Sequence, residues 1–331
     1  MSTMTGGDLN LVKPELTDDH KVTIGTDLPA NFQAIDDAFT ARRLSNKNIL
    51  HNWDFRNPVN QRGASSYTGG TYGIDRWRNG GANFTIDLLL SEALRITATA
   101  SYATRAVTLW QIMENANLYV GTTLTLSFDI SAYTGSWGFR ARFASGGIYL
   151  NQAMVDITAS GITSVTFTVP ATTDAINIEF QTVNVAVNDY ISLKAAKLEV
   201  GSVSTLANDP PAEFGEQLAL CQRQLVSIEA SSSSALNANV GQGLALSTTL
   251  VRILLPFPNN MRSGINGTVA ITVSEWQLIG ATTPTISSVA IMPSSSNMLS
   301  LDFTVTGATS GSPYILRNSV AGAKILYSKE L

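Results

Sequence analysis

Five tryptophans and nine tyrosines stand among amide and hydroxyl side chains in a chain where only 14% of residues are charged. That mixture suits saccharides, because a pyranose ring lays an apolar C–H face on an aromatic plane while Asn, Gln, Asp and Arg satisfy its hydroxyls. Trp137, Tyr133 and Tyr149 lie beside the turns Gly135-Ser136 and Gly146-Gly147 and are the candidates for an exposed glycan site. Trp53, Trp77 and Trp110 read as packing residues, since large aromatics dominate core energetics. Catalysis has little to work with. Cleaving a polysaccharide needs two carboxylates facing one bond, and the spacing of Asp54, Asp75 and Glu179 pairs none of them. The two histidines, His20 and His51, lack the neighbours of a nucleophile site. The expectation is therefore no catalytic residue, no enzyme and no cofactor.

Cys221 is the only cysteine, which rules out an intrachain disulfide and a thiolate metal site. No regular calcium-loop spacing occurs either, and no metal ligand is assigned. A net charge of −4 gives no general reason to bind nucleic acid. No apolar run approaches the roughly 20 residues that cross a bilayer, and no basic-then-apolar start marks a secretory signal. Membrane insertion is not expected.

The elements that must position any site are strands. From Asn46 onward β-branched and small polar residues dominate, and they favour pleated sheet. Leu124, Leu126, Phe128 and Ile130 alternate with polar residues; so do Val165, Phe167 and Val169, and Ile176, Ile178 and Phe180. One face of each strand should be buried and the other wet. Gly, Asn and Ser clusters separate the strands, and no long crossover helix intervenes, which leaves an antiparallel sandwich. The same alternation returns at Val269, Ile271 and Val273 and at Leu299, Leu301, Phe303 and Val305. The expected class is mainly β, with antiparallel sandwich domains and two short helices.

The first helix spans about Pro29 to Arg43, with Phe32, Ile35 and Phe39 on one face. The second follows Asp209-Pro210-Pro211 and carries Phe214, Leu218, Cys221 and Leu225 at spacings of four, three and four. Both stripes are narrow. Three copies could bury them as short coiled coils, making a homotrimer; docking on the same chain is the alternative for the first helix. The divisions that follow are residues 1–45, 46–207, 208–226 and 227–331.

Asn52-Trp53-Asp54-Phe55, Gly73-Ile74-Asp75-Arg76-Trp77, Ala196-Lys197-Leu198-Glu199-Val200-Gly201 and Glu216-Gln217-Leu218-Ala219-Leu220-Cys221-Gln222-Arg223 come in an order that resembles the receptor-binding or tail-fibre proteins of tailed bacteriophages. The likeness covers about residues 46 to 225. It implies that the sandwich is a jelly roll rather than an immunoglobulin-like topology, related in shape to carbohydrate-binding modules. Leu16-Thr17-Asp18-Asp19 and Asn31-Phe32-Gln33-Ala34-Ile35-Asp36 resemble N-terminal attachment peptides, implying a tail or baseplate protein as a partner and the virion tail as location. The segments 255–262 and 323–331 resemble fibre tips, implying that the last β-domain is a tip. The implied function is adhesion to host surface glycan. A structural tail or baseplate connector and a depolymerase are the alternatives. Within the shared motifs Asp75, Arg76 and Trp77 read as structural, Arg76 pairing with Asp54 or Glu199 to hold the domain's two ends together.

Overall fold

The computed structural model describes residues 3–4, 12–13, 28–35, 45–89, 93–113, 115–229, 236–262, 267–292 and 294–330. Two tiny strands, β1 (Thr3–Met4) and β2 (Val12–Lys13), pair antiparallel, and helix α1 covers residues 28–35. On α1, Phe32 is 63% exposed and Ile35 is half-buried. Phe39 and His20 lie outside the described residues.

Eleven strands then build a sandwich: β3 (Ser66–Thr68), β4 (Arg78–Asn79), β5 (Phe84–Leu89), β6 (Ala93–Ala98), β7 (Val107–Met113), β8 (Thr123–Tyr133), β9 (Ser136–Ser145), β10 (Ile148–Asp156), β11 (Gly161–Thr168), β12 (Ala175–Asn184) and β13 (Tyr190–Val200). One sheet runs β10-β9-β12-β7-β4 and the other β11-β8-β13-β6-β5-β3. All pairings are antiparallel. From β6 to β13 the pairing is nested: β6 pairs with β13, β7 with β12, β8 with β11 and β9 with β10. A long hairpin rolled up on itself gives that order, and it is the jelly roll. Period-two alternation supplies its core. Phe128, Phe139, Phe180 and Trp137 meet between the sheets with ring centroids 4.9 to 6.4 Å apart.

The expectation of a wet outer face fails on β8 and β13. Thr125, Ser127, Lys197 and Glu199 point away from the core yet are buried. The cause is chain laid over that face: Thr125 Oγ1 donates to the Gly201 carbonyl at 2.8 Å, and Ser127 Oγ to Ser204 Oγ at 2.7 Å. Lys197 Nζ, taken out of water, is bound by Asp209, Thr205 and Ser45.

After the sandwich comes α2 (Phe214–Cys221), capped by Glu213, whose carboxylate accepts from Glu216 N at 2.6 Å. The expected intermolecular seam does not form as a single helical stripe. Phe214 is 43% exposed, Leu218 is half-buried and Cys221 is buried within the chain, while Leu225 opens the next strand. The helix stops because Gln224 N turns back to the Cys221 carbonyl, and the chain leaves as β14 (Leu225–Glu229).

The last block holds β14, β15 (Asn239–Ser247), β16 (Leu250–Pro256), β17 (Thr268–Ile271), β18 (Trp276–Gly280), β19 (Thr285–Ile291), β20 (Met298–Thr306), β21 (Pro313–Asn318) and β22 (Lys324–Ser328). A three-stranded sheet, β14-β22-β17, and a six-stranded sheet, β18-β21-β15-β16-β20-β19, share a second core that includes Val251, Leu301, Phe303, Leu316 and Tyr327.

Candidate functional site

On the five-stranded sheet the side chains pointing away from the core form ordered rows. Register places Met154, Arg140, Glu179, Trp110 and Arg78 side by side across β10, β9, β12, β7 and β4. The row crosses four strand intervals, roughly 19 Å at a spacing of about 4.8 Å. Beside it run Gln152, Arg142, Asn177 and Ile112, and then Asp156, Gly138 and Gln181.

Glu179 is the anchor of this face. Its two carboxylate oxygens are divided between two guanidiniums: Arg140 Nε donates to Oε2 at 2.5 Å, and Arg142 Nη2 pairs with Oε1. Arg140 Nη1 also reaches Gln152 Oε1 at 2.7 Å. The long arginine stems cover the carboxylate, so an outward-facing acid is buried without being stranded. The Arg142 guanidinium lies 3.6 Å from the centroid of Tyr149, which is itself 52% exposed. At the other end Arg78 lies over Trp110 at 5.2 Å and Tyr72 at 6.0 Å. Each such stack contributes about 0.5 to 2 kcal/mol, depending on its exposure to water, and holds an aromatic plane in a fixed orientation. Burial pushes the Tyr72 hydroxyl up to about 12.

Two groups on the face lack protein partners. Gln181 is 1% exposed, and neither its amide nitrogen nor its oxygen is hydrogen-bonded. Arg142 Nε is buried in the same condition. Opposite Gln181 stands Gly138, where a Cβ would lie 2.7 Å from the Val155 carbonyl and 3.2 Å from Arg105 Nη1. The glycine lets the Arg105–Asp156 ion pair settle onto the sheet.

Of the three residues expected to bind glycan, this face contains Tyr149. Trp137 belongs to the core: it is fully buried, its ring packs on Phe180, and its Nε1 donates to the Thr134 carbonyl at 2.6 Å. The glycine turn beside it gave the wrong impression, because the side chain alternates inward with Phe139. Tyr133 is half-buried at the end of β8 in the opposite sheet, packed against the core. Trp110, expected from the sequence to pack inward, lies on the outer row and is half-buried. Arg140, Arg142, Asn177 and Gln181 were missed; two arginines at period two on a strand with alternating apolar residues were the available signal.

The shared motifs form a separate structural cluster. Asn52, in a left-handed conformation with φ 53°, donates from Nδ2 to the Val59 and Asp75 carbonyls and accepts from Val59 N, while Trp77 Nε1 donates to its carbonyl at 2.8 Å. Its own N–H donates to Gln217 of α2 at 2.7 Å. Arg76 does not take the carboxylates expected for it. Asp54 is engaged by Arg56 and by Ala212 N, and Glu199 by Thr205 and Lys197. Arg76 donates from Nη2 to the Ile112 carbonyl and from its backbone N to Glu330, which pairs with Arg62. The clasp thus joins the sandwich to the last β-block. Asp75 sits fully buried in it, and burial pushes its carboxyl up to about 7, with Glu330 adding to the shift and Gln61 and Arg62 opposing it. Burial pushes the nearby Cys221 thiol far above its ordinary range, so it behaves as a small apolar side chain. A cavity of about 550 Å³ opens near the clasp, lined by His51, Arg76, Glu216 and Arg223 among others. Among the described residues no three His, Cys, Asp or Glu side chains converge on a metal position.

No protein-family model matches the sequence, and no curated protein matches it significantly. Among solved structures it is similar to the C-terminal family 22 carbohydrate-binding module of Clostridium thermocellum Xyn10B, at 14% identity over 41% of this chain and 96% of that one, TM-score 0.29. It is also similar to a CBM4 module, at 17% identity over 43% and 92% of the two chains, TM-score 0.28. The tandem CBM22-1–CBM22-2 domain of Paenibacillus barcinonensis Xyn10C is similar at 10% identity over 87% and 98%, TM-score 0.32. Scores this low carry no weight for the site, and the jelly roll rests on this chain's own strand order.

Proposed function

We propose that this chain is a receptor-binding protein of a bacteriophage tail that holds the virion to cell-surface polysaccharide through the outer face of its five-stranded sheet. The observation that carries the glycan reading is the row Arg78–Trp110–Glu179–Arg140 with Tyr149 beside it: aromatic planes held in place by guanidiniums, next to the exposed amide of Gln152. Such a row is long enough for several sugar rings, and planar faces with a few fixed polar groups are what sugar rings require. The tail assignment is supported by the order of the motifs shared with phage receptor-binding proteins. Weak sites repeated in a homotrimer would add through multivalency.

Binding rather than cleavage fits the acids present. Glu179 is held by two arginines, and Asp156 is paired with Arg105, so neither is placed as a general acid or base facing the other. Affinity electrophoresis through gels cast with extracted bacterial surface polysaccharides tests the reading. Retardation in at least one gel, abolished by Tyr149→Ala with Trp110→Ala, is expected; unretarded migration in all of them overturns it.

A further inference from the structure

Resting on the glycan reading of this face, we infer that the saccharide is anionic, a polymer carrying carboxylate or phosphate groups along its length. Four guanidiniums, Arg78, Arg105, Arg140 and Arg142, lie on the face against two carboxylates, Asp156 and Glu179. The face therefore carries an excess of positive charge on a chain whose formal net charge is −4.

That excess is concentrated at Glu179, where one negative charge is shared by two arginines. Each guanidinium has five N–H donors. Glu179 takes one from each arginine, and Gln152 takes one more from Arg140. Arg142 Nε, buried and without an acceptor, is a donor the fold itself leaves unused. The Arg140 and Arg142 side chains are also 14% and 20% exposed, so an incoming oxyanion would accept from the part of each guanidinium that stays open. Neutral sugars could use the aromatic planes but would leave the excess charge uncompensated. Anionic sugars use both.

Binding is measured by isothermal titration calorimetry with four probes: polygalacturonate, the same polymer after reduction of its carboxylates to alcohols, a ribitol-phosphate teichoic acid, and neutral xylan. Binding to polygalacturonate that falls at least tenfold on carboxyl reduction, and that weakens as salt is raised, supports the inference with carboxylate as the anion. Binding confined to the teichoic acid supports it with phosphate. Equal binding to polygalacturonate and its reduced form, or binding to xylan alone, overturns the inference and leaves the glycan reading standing. No binding to any of the four overturns the inference, and for these polymers the glycan reading with it. A paired variant, Arg142→Gln with Glu179→Gln, keeps the local charge balance while removing one cation. It should weaken the anionic probe about tenfold, the loss of roughly one charge-assisted hydrogen bond, and should weaken any binding to the reduced polymer by less. Unaltered binding to the anionic probe in a folded variant counts against the inference.

Discussion

Gln61 Nε2 donates to Asp75 Oδ2 at 2.6 Å, and the same nitrogen donates to the Leu225 carbonyl at 2.7 Å. The other end of that amide accepts from Ser227 N at 3.1 Å. One side chain thus fastens a buried acid of the jelly roll to the first strand of the next sheet. Gln61→Ala would strip partners from Asp75 and from two backbone groups of β14, and a loss of about 3 kcal/mol or more is expected at about 1 to 3 kcal/mol per unsatisfied group. Urea unfolding followed by tryptophan fluorescence measures it. A loss under half a kcal/mol would mean that the junction contributes nothing to either core.

Asp75 should make stability depend on pH. Its carboxyl is raised from 3.8 to about 7 in the folded chain, so between those values the folded state holds more protons than the unfolded one. Stability is then highest at the acid end of that window and falls as pH rises through it, with an upper limit of about 4 kcal/mol at 1.36 kcal/mol per pH unit. Thermal melts at pH 5 and pH 8 should show the wild type lower at pH 8, and Asp75→Asn should shrink the difference. An unchanged difference in that variant would assign the dependence to other groups.

Core and outer face separate cleanly at two aromatics. Trp137→Ala should cost about 3 to 5 kcal/mol, as for other large core aromatics, while Tyr149→Ala should leave the melting temperature nearly unchanged and weaken saccharide binding. Differential scanning fluorimetry run beside affinity electrophoresis checks both. If Tyr149→Ala melted as low as Trp137→Ala, Tyr149 would have to be reassigned to structure.

Two glycines make a similar contrast. A Cβ on Gly243 would stand 1.7 Å from the Arg252 carbonyl, in the middle of the β15–β16 pairing, whereas one on Gly70 meets nothing within 4 Å. Gly243→Ala should force the strands apart and cost on the order of 3 kcal/mol or more, and Gly70→Ala should fall within about 0.5 kcal/mol of wild type. Equal melting temperatures for the two variants would contradict this strand register.

Much of the sandwich was legible in the sequence because alternation is a local signal. The inward Leu124, Leu126, Phe128 and Ile130 series and the Ile176, Ile178 and Phe180 series are buried as their pattern implies. What lies over an outer face is not local, which is why the burial of Lys197 and Glu199 could not be read from their own strand. The candidate site suffered from the same limit. Glu179, Arg140 and Trp110 are far apart in sequence and become neighbours only through register, and Trp137 was misplaced because a glycine turn signals exposure of the backbone without fixing which way the next side chain points. The second helical seam failed at Leu225 because a period of four and three cannot distinguish a helix from a helix that has already turned into a strand.

The nested strand order also sets a timetable for folding. Leu94 and Ile96 of β6 find their partners in Leu193 and Ile191 of β13, the last strand of the sandwich to be synthesised. A ribosome adding about 5 to 20 residues per second needs several seconds or more to deliver that partner. During the wait β6 exposes apolar side chains and has no neighbour on its inner edge, so the nascent chain is most prone to aggregation before β13 emerges. Slower translation across this stretch should lengthen the hazard, and a holding chaperone that masks β6 should raise the yield of native protein.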